Sequence, residues 1–133
     1  MKVILDTNTL VSGLYFKGIP YRILRAWSAG HFILFVSVEI FDEYKRVIHE
    51  LSHLGPEFNP DKAIALLHKN LKYVKPSHLS GQVCTDPDDD KFLACALTIK
   101  AIIVTGDKAL LKCNGYKNLT IFTPKEFEQK FLN

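Results

Sequence analysis

Four carboxylates, Asp86, Asp88, Asp89 and Asp90, fall within five consecutive positions, and an almost wholly apolar segment follows them directly. This stretch, Asp86-Pro87-Asp88-Asp89-Asp90-Lys91-Phe92-Leu93-Ala94-Cys95-Ala96, constrains the fold more than any other. Asp86 has the short acceptor side chain of an N-cap, and Pro87 suits the first helical position. From Phe92 to Ile99 only Thr98 is polar. That is too apolar for a surface helix and too short to span a bilayer, so the segment predicts a buried helix with acids at its N-terminal end. A helix dipole favours negative charge there by about 0.3–1 kcal/mol per group. It can hold one or two acids, but four packed together repel one another. The pattern therefore asks for a positive charge, and a divalent metal ion supplies one most directly; the simpler alternative is a solvated acidic helix end.

The rest of the chain alternates short apolar runs with helical patterns. Lys2 to Leu5 predicts a buried strand closed by Asp6, and Asp6-Thr7-Asn8 then turns the chain. Ile19-Pro20 opens a helix through about Ala29, ended by Gly30, and Phe32 to Val36 is a second strand. Ser37 caps a long helix to about Leu54, before Gly55-Pro56. Asn59-Pro60-Asp61 starts a helix to about Tyr73, and Lys75 to Val83 is a polar loop. After the acidic cluster and its helix, Ala101 to Thr105 is a third strand, ended by Gly106-Asp107. A short helix from Asp107 to Cys113 and a fourth strand from Leu119 to Phe122 follow. Thr123-Pro124-Lys125-Glu126 is a capping box that opens the last helix. Strand–helix alternation of this kind predicts an α/β fold, one domain over 1–133, with a mainly parallel central sheet. Such sheets bind ligands beyond the C-terminal ends of their strands, where Asp6 and Asp107 lie.

Composition narrows the class further. The chain has 133 residues, enough for one real core, with 47% hydrophobic and 23% charged residues. No apolar run reaches membrane length, and Asp6 comes too early for a signal peptide, so the expectation is a cytoplasmic protein. Cys84, Cys95 and Cys113 are odd in number and widely spaced, which suggests neither a disulfide framework nor a zinc knuckle. The net charge of +3 permits an anionic partner, and it makes the acidic cluster stand out.

Three further features compete for chemistry. On the helix after Ser37, Ile40, Phe41, Tyr44, Val47, Ile48, Leu51 and Leu54 form one apolar stripe, with Glu43 on its margin. A carboxylate there needs a partner or a metal unless it reaches solvent. His49-Glu50-Leu51-Ser52-His53 matches the H-E-x-x-H zinc pattern, but on the face opposite that stripe and against the Gly55-Pro56 stop. A zinc site would still need a third ligand and a covering wall. Asp6-Thr7-Asn8 after a strand also invites comparison with haloacid-dehalogenase-type phosphatases, which place a second aspartate two residues after the nucleophile. Here that position is Asn8, which cannot donate a catalytic proton in that role.

Taken in order, these motifs resemble those of PIN-domain ribonucleases. Val3-Ile4-Leu5-Asp6-Thr7-Asn8-Thr9-Leu10-Val11-Ser12 is similar to the opening of that family. Asp86 to Leu93 and Ile103-Val104-Thr105-Gly106-Asp107 are similar to its later motifs, and Glu43 stands at the expected place between them. Each motif is weak alone; four in order, over nearly the whole chain, are fairly specific. The resemblance is strongest to the VapC-like toxin components of bacterial and archaeal toxin–antitoxin pairs.

The resemblance implies an α/β/α sandwich and a pocket of acids binding Mg2+ or Mn2+. It implies hydrolysis of single-stranded RNA by metal-activated water, with a protein antitoxin and a homodimer as partners. Carried over by position, the catalytic and metal-holding acids are Asp6, Glu43, Asp89 and Asp107, with Asp90 as the alternative to Asp89. Asp86 either assists or only caps the helix. Thr7, Asn8 and Thr105 would orient the carboxylates, and Arg22, Arg25, Lys91 and Lys108 are candidates for guiding an RNA backbone past them. The alternatives are a small-molecule phosphatase acting through Asp6 and a non-catalytic PIN-like module that binds RNA or protein.

Overall fold

The computed structural model describes residues 1–133. Five strands, all parallel, form one sheet in the order β3-β2-β1-β4-β5. They are β1 (Lys2–Leu5), β2 (Ile33–Val36), β3 (Lys72–Tyr73), β4 (Ile102–Val104) and β5 (Ile121–Phe122). Seven helices flank the sheet: α1 (Thr7–Tyr15), α2 (Ile19–Ser28), α3 (Val38–Leu51), α4 (Pro60–Asn70), α5 (Asp90–Ile99), α6 (Lys108–Leu111) and α7 (Pro124–Phe127). A 3-10 turn at Pro87–Asp89 leads into α5, and a π-helical turn at Glu128–Leu132 extends α7. The fold is the expected α/β/α sandwich.

The central strand is β1, whose Val3, Ile4 and Leu5 are buried, as a strand covered on both faces requires. It pairs with β2 at Lys2↔Ile33 and with β4 at Leu5↔Val104. The α5 helix packs against β1 and β4, burying Phe92, Leu93, Cys95 and Ala96 in the core. The apolar segment after the acids is therefore the buried helix that its composition predicts. Ser37 caps α3 by accepting from the Ile40 N–H at 3.1 Å, and the buried Tyr44 hydroxyl donates to the Leu5 carbonyl. That bond pins α3 to the C-terminal end of β1.

Two elements differ from the sequence expectation. No turn follows Asp6: α1 begins at Thr7, with Asp6 as its cap. Its Thr7, Thr9, Val11 and Gly13 are poor helix formers, so propensity hides the helix, and burial of Thr7, Thr9, Leu10 and Val11 stabilises it instead. The second difference is α4, which ends at Asn70, and Lys72–Tyr73 forms the edge strand β3. Buried Leu71 turns the chain inward, and β2 offers an open edge where Val36 pairs with Tyr73 and the Val36 carbonyl accepts from the Val74 N–H at 2.9 Å. A two-residue strand with both side chains exposed carries no alternation to detect.

Gly13 marks the closest approach of α1 to α2. A Cβ at that position would lie 2.7 Å from the Pro20 carbonyl oxygen and 2.7 Å from Leu24 Cδ1. Glycine to alanine within a helix ordinarily stabilises. Here the backbone contact reverses the sign, and Gly13→Ala is expected to destabilise the protein by about 1–3 kcal/mol, measured as a lower midpoint in urea unfolding.

Candidate active site

The strand order reverses at β1. The chain runs outward through β2 and β3, then returns to place β4 on the other side of β1. The C-terminal ends of β1 and β4 border a crevice of the type that binds ligands in parallel sheets. Asp6 follows β1 and Thr105 follows β4, side by side, with the Asp6 N–H donating to the Val104 carbonyl at 3.2 Å. The fully buried Thr105 hydroxyl donates to Asp6 Oδ2 at 2.6 Å and accepts from the Asp107 N–H at 2.9 Å. One side chain thus spaces two of the acids.

Helix caps fix the same acids from the other side. Asp6 Oδ1 accepts from the Thr9 N–H at 3.0 Å, opening α1, and Asp107 Oδ1 accepts from the Ala109 N–H at 2.9 Å, opening α6. Glu43 arrives from α3, where the Thr7 hydroxyl and Lys91 Nζ, the latter at 2.8 Å, hold its carboxylate. The partner demanded by its marginal position on the helix is therefore present.

The central aspartates divide by role. Asp86 caps the 3-10 turn, accepting from the Asp88 N–H at 2.9 Å. Asp88 pairs with Lys91 at 3.2 Å. Asp90 faces the preceding loop, where its oxygens accept from the Val83 N–H at 3.1 Å and the Cys84 N–H at 2.7 Å. Asp89 faces the crevice. Asp6, Glu43, Asp86, Asp88, Asp89 and Asp107 line one hollow of about 200 Å³, together with Asn8 and Arg46.

The electrostatics follow from this crowding. Burial raises the Asp6 carboxyl above its usual value; the bonds from Thr105 and Thr9 oppose the rise, and the charge on Asp107 adds to it. Burial, then the charges on Asp107 and Asp86, push Asp89 up to about 6, with Lys91 as the main opposing influence. Burial would lower the Lys91 ammonium, but its bonds to Glu43 and Asp88 overcome that and raise it. Asp88 is held low by the same lysine, whereas the Cys84 and Val83 amides outweigh desolvation at Asp90 and hold it low.

No three carboxylates converge at ligand distance as the side chains stand. The donor chemistry nevertheless fits a hard divalent cation: the acids around the hollow offer only oxygen, and the charges on Asp107 and Asp86 add to burial in raising Asp89. Magnesium keeps several of its waters and takes as few as one or two carboxylates directly, so a closed cage is not required.

The four acids expected from the sequence, Asp6, Glu43, Asp89 and Asp107, all reach this hollow, and Asp90 does not line it. Thr7 and Thr105 bond carboxylates as anticipated, while Asn8 lines the hollow and Asp6 takes its bonds from Thr9 and Thr105. The basic residues differ more. The Lys91 side chain is only 5% exposed and lies among the acids, so it is an internal counter-ion and cannot meet an RNA backbone at the surface. Arg22 pairs with Glu128 through two bonds, at 2.6 and 3.0 Å. Arg46, one turn after Glu43, reaches the hollow without having been anticipated; its spacing of three from Glu43 was the available signal. His49 and His53 are both exposed, and α3 ends before His53, so the zinc pattern builds no site.

The chain is thus a parallel α/β sandwich with carboxylates gathered at its strand-order reversal. Residues 2–109 match the PIN domain model, and the chain belongs to the PIN-domain family. It is 34% identical to the uncharacterized protein MJ1680 of Methanocaldococcus jannaschii, over 98% of this chain and 92% of that protein. It is also similar in fold to the crystal structure of VapBC2 from Rickettsia felis bound to a DNA fragment from their promoter. That match has a TM-score of 0.63 at 15% identity and covers 92% of this chain and 98% of that one. No helix is long and apolar enough to cross a membrane.

The elevated Asp89 has a measurable consequence. In the unfolded chain its proton leaves near pH 4, and in the folded chain near pH 6. Its contribution to stability is complete below pH 4 and is lost as pH rises through 6. In chelator at pH 7.5, Asp89→Asn is expected to be more stable than the parent by about 1 kcal/mol after allowance for solvent screening. Thermal melts at pH 7.5 and pH 3.5 check this, since the difference should vanish at the lower pH.

Proposed function

We propose that this protein is a Mg2+- or Mn2+-dependent endoribonuclease acting on single-stranded RNA, and the toxin of a toxin–antitoxin pair. The observation that carries the reading is the gathering of Asp6, Glu43, Asp89 and Asp107 around one hollow at the β1–β4 switch of a PIN-domain chain. These residues come from four separate parts of the sequence, and helix capping by Asp6 and Asp107 does not account for Glu43 and Asp89 meeting them. Asp6, Glu43, Asp89 and Asp107 are the residues that would hold the cation. A bound divalent ion supplies charge neutralisation at the scissile phosphate and a lowered pKa for attacking water.

The chain's own residues have distinct tasks in this reading. Thr105 fixes the spacing of Asp6 and Asp107, so both present oxygens to one side of the crevice. Thr7 and Lys91 fix Glu43. Lys91 balances part of the negative charge that would otherwise repel a phosphodiester. Arg46, which lines the hollow while pairing with Glu50 at 2.8 Å, and the exposed Lys108, next in sequence to Asp107, are the candidates for meeting the nucleic-acid backbone. The restraining protein antitoxin and the homodimeric state rest on the resemblance to VapC-like toxins.

Cleavage of a mixed-sequence single-stranded RNA tests the proposal, with single-stranded and duplex DNA alongside. Cutting is expected with Mg2+ or Mn2+, none in chelator, and Asp6→Asn should lower the rate at least about 100-fold. Failure of folded, metal-loaded, antitoxin-free protein to cut any of several RNAs would overturn the ribonuclease reading. Preferential cutting of DNA would replace the substrate.

A further inference from the structure

Cys84 and Cys113 lie 29 positions apart in the chain, yet their Sγ atoms are 3.2 Å apart. Both are free thiols. A disulfide bond is about 2.05 Å long, so the sulfurs need approach by only about 1.2 Å to close one. Cys84 is buried in the loop that Asp90 fastens, directly ahead of the acidic turn. Cys113 follows α6, the helix opened by Asp107, and is partly exposed, so a small oxidant can reach it. Cys95 shows the contrasting arrangement, a core thiol in α5 with no sulfur beside it. The Cys84–Cys113 contact joins two separate elements, each of which delivers an acid to the hollow.

We propose that Cys84 and Cys113 are a redox-modification site, closing to an intramolecular disulfide that staples the acidic turn to α6. The co-reactant is a low-molecular-weight disulfide of the glutathione class. The Cys113 thiolate attacks one glutathione sulfur, forming a mixed disulfide and releasing one glutathione thiolate. Cys84 then attacks the Cys113 sulfur, the Sγ–Sγ bond forms, and the second glutathione leaves. Two protein thiols are oxidised, one small disulfide is reduced to two thiols, and the two thiol protons pass to the departing glutathiones. Cys113 is the more exposed of the two, which assigns it the first attack, and Cys84, already beside it, closes the bond. The staple ties the turn carrying Asp89 to the helix opened by Asp107, two acids whose charges oppose each other. It holds them together whether or not a cation does, and it does not depend on the nuclease reading.

The test is incubation of the full chain with oxidised glutathione, followed by thiol titration, intact mass and thermal melting. The expected product has one titratable thiol left, has lost two hydrogens, and melts roughly 5 °C or more above the reduced protein, reversibly with dithiothreitol. Cys113→Ser should abolish the gain, and Cys95→Ala should keep it. Three remaining free thiols, a persisting glutathione adduct on Cys113, a disulfide involving Cys95, or a Cys84–Cys113 disulfide with no rise in melting temperature would each overturn the proposal.

Discussion

Like-charge repulsion at the C-terminal edge of the sheet is the constraint around which this molecule is built. Six carboxylates share one small hollow, and a relaxed chain would separate them. The fold prevents that by making the acids structural. Asp6, Asp86 and Asp107 each cap a helical segment, so their carboxylates are fixed by the backbone N–H groups that they satisfy. Thr105 crosses between the two central strands and joins Asp6 to Asp107 through one buried hydroxyl. Repulsion is therefore opposed by local hydrogen bonds whose loss would also fray α1 and α6.

Lys91 is the second half of that arrangement. Its position directly after Asp90 places it in the first turn of α5, where its side chain runs inward to meet Glu43 from another helix. A buried ammonium is costly unless paired, and here it pairs with Glu43 and Asp88. One internal cation stands against six acids, and at Asp89 burial and the neighbouring charges of Asp107 and Asp86 together outweigh Lys91 and raise the carboxyl. In the proposed reading a divalent cation bound among these acids would offset the repulsion between them.

The acidic run before a buried helix, the strand endings at Asp6 and Asp107, and the marginal Glu43 were legible because each is a local departure from what burial or solubility alone would select. Their meeting was legible only through the resemblance, since sequence spacing cannot bring positions 6, 43, 89 and 107 to one edge. The strand order supplies that. The choice between Asp89 and Asp90 depends on a loop: Asp90 faces away because the Val83 and Cys84 amides need an acceptor. Lys91 looked like a surface cation because the one-dimensional pattern does not reveal that Glu43 lies opposite. The α1 helix was hidden by its β-branched residues and Gly13, and β3 by its length. The Cys84–Cys113 contact had no sequence signal at all, because the long separation of two cysteines says nothing of their distance.

The most direct test of this account is anomalous diffraction from crystals grown with Mn2+. The account predicts a manganese peak in the hollow, ligated by carboxylates from among Asp6, Glu43, Asp89 and Asp107, with Asp90 still bonded to its loop. A fully loaded crystal with no peak there, or with manganese bound only at the exposed His49 and His53, would contradict the claim that the clustered acids exist to hold a cation.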